Sequence, residues 1–423
     1  LAMMEPLVAK YDLVIANPPY MGKGNMNSWL SGWVAHNYPD EKSDLCTCFI
    51  ERGMVLVTDS GNVAMITASS WMFISSFESM RKKIIDSATI ISMIQQSTHG
   101  YPNVTVPTCM WVMSKGKQNV QGVYIRLENF DRPQWQQPRA LEAIQNPDCG
   151  WLYRADAQNF KSIPGWPIAY WASEAMLDVF RRGVPLKRVG QPRQGLATGK
   201  NALFVREWWE VAKGTEWFDC PSIQASAESG IKWFPYNKGG EYRKWYGNND
   251  CVVNWENDGF EIRHNVDSNG KQLSRPQNTA FFFKPSITWS KISSGLIAFR
   301  YKPQGHVFDV AGTSIFADAE TLKYLQGACN SSVILTIARM LSPTLNFEVG
   351  QIATYPILVD QAQEPIVNEL VGEQRSLSRT DWDAFETSWD FQSHPLSQAG
   401  EPLIERQFAR WQAECQDRFD TLK

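Results

Sequence analysis

The stretch Leu13-Val14-Ile15-Ala16-Asn17-Pro18-Pro19-Tyr20 decides how this chain is interpreted. Its first half is a short apolar run rich in β-branched residues, which predicts a buried strand. Two prolines follow almost at once, and because proline lacks a backbone donor and fixes φ, the strand ends there and the loop stays extended. Ligands of open α/β sheets bind beyond the carboxyl ends of strands. The sequence therefore predicts a functional site at residues 17–20.

The residue types at this position suit one kind of chemistry. Asn17 offers a side-chain oxygen and Pro18 a backbone carbonyl as hydrogen-bond acceptors. Two converging acceptors can hold the hydrogens of a planar amino group and direct its lone pair at an electrophilic methyl group, without a strong base. Tyr20 provides a flat face for stacking an extruded base, a contact that is worth ~1–3 kcal/mol. We predict Asn17, Pro18, Pro19 and Tyr20 as catalytic residues; the alternative is a plain turn after a strand.

Residues 1–150 alternate short apolar runs with helical stretches, which is α/β patterning. Such alternation predicts a mostly parallel sheet with helices between its strands. The predicted strands are Leu13–Ala16, Val63–Thr67, Ile90–Ile94 and Cys109–Met113, and the predicted helices include Leu45–Val57 and Phe77–Ile85.

Two further regions differ in composition. Residues 151–360 are rich in Trp, Tyr, Gly and basic residues with frequent turn signals, which predicts a second, mixed α/β domain. Residues 361–423 are more acidic and predict a helical tail. One helix face of that tail carries Ile404, Phe408, Trp411, Cys415, Phe419 and Leu422.

Bulk properties set limits on the class of protein. The chain has 423 residues, a net charge of -3 and eight cysteines without a CxxC pair. We therefore expect a globular cytoplasmic protein with reduced thiols, no metal site and no membrane segment. Because the net charge is small, any nucleic-acid site must concentrate positive charge on one surface.

Three clusters of basic residues lie in the second region. Interleaved aromatic side chains accompany the second of them, and all three suggest contacts to phosphates, although a solvated surface would look the same. The candidates for nucleic-acid binding are Arg188, Arg193, Lys200, Lys238, Arg243, Lys244 and Lys291, and the third cluster also contains Arg300 and Lys302.

The motif at residues 17–20 resembles that of the amino-methyltransferases. In that family Asn-Pro-Pro-Tyr follows the fourth strand of a Rossmann-like sheet. The resemblance implies S-adenosylmethionine as cofactor, contacted by Asn17 and by Phe49 of the string Asp44–Glu51. It also implies that Tyr101, in the string Tyr101-Pro102 with Val104-Thr105, packs against the flipped base beside Tyr20.

Most of the chain resembles the PglX family, the large adenine methyltransferases of BREX phage-defence systems. This resemblance implies a partial methyltransferase sheet from the fourth strand onward, a target-recognition domain and N6-adenine methylation of double-stranded DNA. It also implies an ATPase and a phosphatase-like protein as partners. The strings that carry it are Gly195–Gly199, Trp233–Gly240, Thr288–Ile292, Pro343–Phe347 and Asp381–Asp390.

Members of the family also carry a Gly-rich cofactor loop after the first strand, which we expect to lie before Leu1. The isolated chain should then bind S-adenosylmethionine weakly or not at all, and should self-associate through the open edge of strand Leu13–Ala16. Other functions stay open: a non-catalytic DNA-binding specificity module, methylation of glutamine side chains or ribosomal RNA, and N4-cytosine methylation.

Overall fold

The computed structural model describes residues 8–102, 105–293, 295–341, 346–397 and 403–422. Val104 and Pro343-Thr344-Leu345 of the strings quoted above lie outside these residues. The chain forms two compact units, Leu1–Arg181 and Arg182–Lys423. The first unit thus extends beyond residue 150, where the sequence placed the boundary, because strand Leu152–Ala155 pairs into its sheet. The helical tail is part of the second unit.

Among its described residues, the first unit contains a six-stranded sheet and four helices that precede the helix at the unit boundary. The strand order is β1-β2-β4-β3-β5-β6. The strands are β1 (Tyr11–Ala16), β2 (Val57–Ala68), β3 (Ala88–Gln95), β4 (Thr108–Lys115), β5 (Gly122–Arg126) and β6 (Leu152–Ala155). The helices are α1 (Ser28–Asn37), α2 (Leu45–Leu56), α3 (Glu78–Ser87) and α4 (Pro133–Gln145), and α5 (Glu174–Arg182) follows at the boundary between the units.

The four predicted strands and both predicted helices are present, but the expectation of a mostly parallel sheet is wrong. β1 pairs with β2 in parallel, and β3 pairs with β5 in parallel. The pairs β2–β4, β3–β4 and β5–β6 are antiparallel. The cause is β4, which returns from β3 without an intervening helix and inserts between β3 and β2.

The two faces of β1 meet different surroundings. Val14 and Ala16 pack against the main apolar core, which also contains Ile50 of α2 and Ile84 of α3. The alternate residues point the other way, and Leu13 and Ile15 are 54% and 73% exposed. Among the described residues β1 pairs with β2 alone, so it is an edge strand with an exposed apolar face.

The topology brings several chain segments to one edge of the sheet. β1, β2 and β3 end at this edge, whereas β4 begins there. The backbone N–H of Ser69, just after β2, donates to the carbonyl of Pro107 with an N···O distance of 2.9 Å. The loops after β1, after β2 and between β3 and β4 therefore share one end of the sheet.

The second unit contains three small sheets. Their strand orders are β14-β10-β11-β9, β13-β12-β15-β8 and β16-β7. The strands are β7 (Val184–Pro185), β8 (Gln191–Arg193), β9 (Val205–Glu207), β10 (Trp233–Asn237), β11 (Cys251–Asn254), β12 (Ser286–Thr288), β13 (Arg300–Lys302), β14 (Val307–Phe308), β15 (Ser314–Phe316) and β16 (Pro356–Ile357). Aromatic residues dominate its core, among them Phe204, Phe234, Trp255, Phe282 and Phe308.

Helices complete the second unit. They are α6 (Asn201–Phe204), α7 (Ile223–Ser229), α8 (Glu256–Arg263), α9 (Ala319–Asn330), α10 (Ser332–Leu341), α11 (Val349–Ile352), α12 (Glu364–Asp383) and α13 (Ile404–Leu422). Helix α12 packs on α9, and α13 contacts α12. The apolar face predicted for α13 is only partly covered, since Ile404 is 77% exposed. No helix in the described part of the chain is both long and apolar enough to cross a membrane.

Candidate active site and nucleic-acid interface

The Asn-Pro-Pro-Tyr loop leaves the carboxyl end of β1 at the shared edge of the sheet. Asn17 and Pro19 are exposed, whereas Pro18 is buried and anchors the loop. Tyr20 is 37% exposed. Its hydroxyl donates to Asn17 Oδ1 over a long 3.4 Å, so the amide oxygen is oriented but only weakly engaged. The two side chains with the predicted chemistry are therefore adjacent and accessible.

Asp44 fixes the far end of this loop. Its Oδ1 accepts from the backbone N–H of Met21 at 3.1 Å and from that of Cys46 at 3.0 Å. The second bond caps the N-terminus of α2, and Leu45 N–H also donates to the Met21 carbonyl at 3.0 Å. One carboxylate thus ties the loop directly to a helix. Asp44 has a signal in the sequence that could have identified this role, because an Asp directly before an apolar helical run is typical of an N-cap.

The environment of Tyr20 raises the pKa of its phenol. Burial, followed by electrostatic interactions with Cys46, Cys109, Tyr101 and Asp44, raises its pKa to about 12. The phenol is therefore protonated and neutral at physiological pH, as a stacking surface requires. That Tyr20 and half-buried Tyr101 contact one base stays a prediction.

A buried polar cluster around Thr67 and Arg81 holds the end of β2 and the loop that follows it. Thr67 Oγ1 accepts from the indole N–H groups of Trp71 and Trp111, at 3.0 and 3.1 Å. Arg81 is 1% exposed and donates to the carbonyls of Trp71 and Ile74 at 2.8 and 2.7 Å. The loop after β2 is thereby held rigid. Sequence reasoning missed Thr67 and Arg81, because a lone threonine in a strand and a lone arginine in a helix carry no signal.

Phe49 is the residue that the resemblance assigned to the cofactor. It lies in the second turn of α2 and is 40% exposed, although its neighbours Cys48 and Ile50 are buried at 4% and 1%. An aromatic ring held at the surface by a buried helix face suits stacking on a purine. Cys46 and Cys48 are buried packing residues, and burial raises the pKa of Cys48 to about 12.

The basic candidates in the second unit fall into two groups. Arg188 and Lys200 are exposed, and Arg193 and Lys238 are half-buried. The others are engaged within the unit: Arg243 pairs with Asp381 at 3.2 Å, Lys244 Nζ donates to the Asn330 carbonyl at 3.3 Å, and Lys291 pairs with Glu348 at 3.1 Å. Arg193 is engaged as well, since its guanidinium donates to the Pro192 carbonyl at 3.2 Å and to Gln191 Oε1 at 3.1 Å. Arg188, Lys200 and Lys238 are therefore the more available of these candidates.

Arg300 and Lys302 of the third cluster are buried, although the sequence suggested that this cluster contacts phosphates. Arg300 is 1% exposed and Lys302 is 0% exposed, so neither lies on a surface that could meet a phosphate. Both face inward from β13, and their donors reach backbone carbonyls of the segment 241–248. Charge alone misled the sequence analysis here, because lysine and arginine are almost always exposed.

Within the described residues one group of side chains has the closeness of metal ligands. One ligand atom each from Glu207, Asp250 and Cys251 lies within 4.8 Å of the others. Burial, followed by the charges of Asp250 and Glu207, raises the pKa of Cys251 to about 12. In the absence of a cation the Cys251 thiol is thus protonated at neutral pH.

Comparison with known proteins gives the chain its context. Residues 6–100 match the family Eco57I restriction-modification methylase. The chain is 40% identical to "Adenine-specific methyltransferase PglX" of Lacticaseibacillus casei (strain Zhang), over 99% of this chain and 35% of that protein. It is 33% identical to "Adenine-specific methyltransferase BrxX" of Escherichia coli O9:H4 (strain HS), over 92% of this chain and 31% of that protein. The chain thus spans about a third of the length of these relatives.

A solved structure shares the fold at low sequence identity. The Type IIL restriction-modification enzyme MmeI, solved in complex with DNA, matches with a TM-score of 0.53 and 12% identity, over 96% of this chain and 57% of that chain. This match indicates a common fold for both regions of the sequence. From the motif at residues 17–20 to the last helix, the chain is similar to one third of the adenine-specific methyltransferases PglX and BrxX, and its residues 6–100 match the Eco57I methylase family.

Proposed function

We propose that the chain carries the methyl-transfer loop and the target-recognition region of a site-specific DNA adenine-N6 methyltransferase that uses S-adenosylmethionine. The observation that carries the proposal is the Asn17–Tyr20 loop, which lies at the carboxyl end of an edge strand, is clamped by Asp44 and exposes an amide acceptor beside a neutral phenol. The similarity to PglX and BrxX, and the match to the Eco57I methylases, support adenine as the substrate.

Each site residue has a distinct role in the proposal. Asn17 Oδ1 and the Pro18 carbonyl accept the two hydrogens of the adenine amino group, which makes the nitrogen more pyramidal and turns its lone pair outward. Tyr20 and Tyr101 stack on the flipped base. When Tyr20 turns to the base, its long hydrogen bond to Asn17 at 3.4 Å breaks at little cost and frees the amide oxygen for the substrate.

The cofactor supplies the electrophilic methyl group when it is bound. In this chain Phe49 and Asn17 are the residues that would contact it, because the Phe49 ring is 40% exposed and Asn17 is exposed directly after β1. The remaining contacts would come from the Gly-rich loop that the resemblance to the amino-methyltransferases implies.

Double-stranded DNA would be held by the second unit. Arg188, Lys200 and Lys238 are the phosphate contacts that we propose, because the first two are exposed and Lys238 is only partly buried. The similarity to PglX also supports a role in BREX phage defence, in the cytoplasm, together with the other components of such a system. Electrostatic contacts of this kind make DNA binding salt-dependent. Loss of one cation should therefore reduce the magnitude of the slope of log K against log salt concentration by about one.

The experiment that tests the function is a methylation map. Cells that carry the complete open reading frame and its neighbouring genes are compared with cells that carry Asn17→Ala or Asn25→Ala, and N6-methyladenine is located by single-molecule sequencing. Asn25 is a matched control, since it is an exposed asparagine of the same loop region. We expect one defined motif to be methylated in the wild type and in Asn25→Ala, and to lose the mark in Asn17→Ala.

Two outcomes would contradict the proposal. A wild type without any new mark removes the methyltransferase assignment and leaves a DNA-binding specificity module as the explanation. A mark that persists in Asn17→Ala shows that the amide is not part of the reaction. If the map shows N4-methylcytosine instead, the substrate is cytosine rather than adenine, and the proposed methyl transfer to an amino group still holds.

A further inference from the structure

The segment from Gly239 to Asn248, which joins β10 to β11 and is called the bracket loop below, has an unusual backbone. Five of its residues have φ in the left-handed region, and two of these, Trp245 at 69° and Asn248 at 54°, are not glycine. A side chain in this region costs ~1–3 kcal/mol unless the surroundings determine the conformation. The conformation of the bracket loop must therefore be fixed by other parts of the unit.

Two buried cations fix it. Arg300 and Lys302 alternate with Tyr301 on β13, so both point to the same side of the strand. Arg300 donates to the carbonyls of Glu241 and Arg243, each at 3.3 Å. Lys302 Nζ donates to the carbonyls of Gly247 and Asn248, at 3.0 and 2.7 Å.

Neutral groups complete the frame. Ser290 Oγ donates to the Gly240 carbonyl at 2.7 Å, and Arg300 in turn donates to Ser290 Oγ at 3.0 Å. The side-chain amide of Asn248 donates to the carbonyls of Gly239 and Glu241, at 3.3 and 3.0 Å. Six carbonyls of the bracket loop thus turn toward the interior of the unit, so what the loop presents outward is side chains.

Holding a loop with the buried side chains of Arg300 and Lys302 is energetically unfavourable. Burial of a cation is unfavourable, and a well-packed apolar core of similar volume is often at least as stable. Among the described residues, the hydrogen bonds of Arg300 and Lys302 go to carbonyls, one hydroxyl and one amide oxygen rather than to carboxylates. Such a cost is understandable where a surface must be held in one conformation for recognition.

The outward side chains suit the edges of bases. Glu241 is exposed and Tyr242 is 50% exposed, and both line an open cleft of about 670 Å³ whose other wall includes Ile292, 64% exposed. A carboxylate is repelled by phosphates, but it can accept a hydrogen bond from the amino group of cytosine or adenine. A phenol and an aliphatic side chain can contact a neighbouring base, including the methyl group of thymine.

We propose that the bracket loop determines part of the DNA target sequence, with Glu241 as acceptor for a base amino group and with Tyr242 and Ile292 in contact with the adjoining base pair. The inference rests on the proposed function, because it assigns base recognition within the same DNA-binding unit. It separates the loop from Arg188 and Lys200, which position the duplex through phosphates without specifying its sequence.

The test uses the same methylation map, with the complete open reading frame carrying Glu241→Gln or Tyr242→Ala. The matched controls are Glu228→Gln and Phe260→Ala, an exposed glutamate on α7 and a 58% exposed aromatic on α8. We expect Glu241→Gln to lose about tenfold or more of the discrimination at one motif position, which corresponds to the ~1–3 kcal/mol of a base-edge contact. Tyr242→Ala should relax the adjoining position, and both controls should keep the wild-type motif.

The outcomes separate the inference from the proposed function. If the wild type methylates a motif and both bracket-loop variants methylate the same motif with unchanged stringency, the inference is overturned and the function stands. If the wild type methylates nothing, the function itself fails. A variant that no longer methylates is purified and assayed for folding and for competition between target and random duplexes. Lost preference in a folded protein supports the inference, and full preference overturns it.

Discussion

The loop after β1 and the bracket loop are both candidate contact surfaces, but they are held in opposite ways. In the first, the Asp44 carboxylate accepts backbone N–H groups, and the residues that it joins are 23 and 2 positions away. In the second, Arg300 and Lys302 donate to backbone carbonyls that lie between 54 and 59 positions away. The first loop is therefore encoded within one strand–helix segment, whereas the second depends on a distant strand.

This difference has consequences for stability and for function. A loop with a local frame can keep its shape as long as its own helix is folded, so a substitution there should affect activity more than stability. A loop with a distant frame couples its shape to the core of the unit, so a substitution in the frame should affect stability first. Two substitutions test this contrast directly, and two more test neighbouring features of the first unit.

The largest loss of stability is expected for Lys302→Met. The substitution leaves the carbonyls of Gly247 and Asn248 and the Asn249 Oδ1 without their donor. Unsatisfied buried acceptors cost ~1–3 kcal/mol each, so we expect a loss of about 3 kcal/mol or more in the free energy of unfolding. Denaturant unfolding measures it, with Lys291→Met as control because Lys291 makes a half-exposed ion pair. Equal stability of the two variants would show that the frame is dispensable.

Asp44→Ala should have a smaller effect on stability and a clear effect on activity. It removes the N-cap of α2 and the bond to Met21, a loss of about 1–2 kcal/mol. Because the Asn17–Tyr20 loop then loses its anchor, N6-methyladenine in cells should fall about tenfold or more, the scale on which misplaced catalytic groups act. Asp44→Asn keeps the oxygen acceptor and should retain most of the mark. Equal losses in both variants would point to the negative charge instead.

Glu41 provides a pH-dependent effect of about 1 kcal/mol. Burial, followed by the charge of Glu51, raises its pKa to about 7, while Lys83 opposes the shift. The unfolded chain releases this proton near pH 4.5 and the folded chain near pH 7, so stability is lost as pH rises between these values. Glu41→Gln should therefore be more stable than the wild type at pH 8, by about 1 kcal/mol after screening, and similar at pH 4.5.

Thermal unfolding at several pH values checks this prediction. The control is Glu142→Gln, because Glu142 is a partly exposed residue in an ion pair with Arg139 and its substitution should alter stability little. A stability difference between Glu41→Gln and the wild type that does not change from pH 5 to pH 8 would mean that Glu41 is not the titrating group.

The smallest effect on stability is expected for Ile15→Ser. Ile15 is 73% exposed on β1, so the substitution should change the free energy of unfolding by less than about 0.5 kcal/mol. It should nevertheless reduce self-association of the isolated chain, because it interrupts the exposed apolar face of the edge strand. Analytical ultracentrifugation gives the measurement, and Leu141→Ser, at a 50% exposed position on α4, is the control. Association that is unchanged in Ile15→Ser would place the contact elsewhere.

The sequence by itself determined the strands and helices around residues 17–20, and the position of Asn17, Pro18, Pro19 and Tyr20 at a strand end. These features are local, since apolar periodicity, proline and an N-cap aspartate act over a few residues. Tyr101 and Phe49 could be named from the resemblance to a family, although the proximity of Tyr101 to Tyr20 is a tertiary feature.

Only the tertiary structure decided which way the strands run and which charges reach the surface. The antiparallel insertion of β4 depends on long-range pairing, and it made the prediction of a mostly parallel sheet wrong. Arg300 and Lys302 have the composition of a DNA-contacting cluster, yet they are buried, while Arg243, Lys244 and Lys291 are engaged within the unit. The physical reason is that burial and hydrogen-bond partners depend on residues distant in sequence, whereas charge is a property of each residue alone.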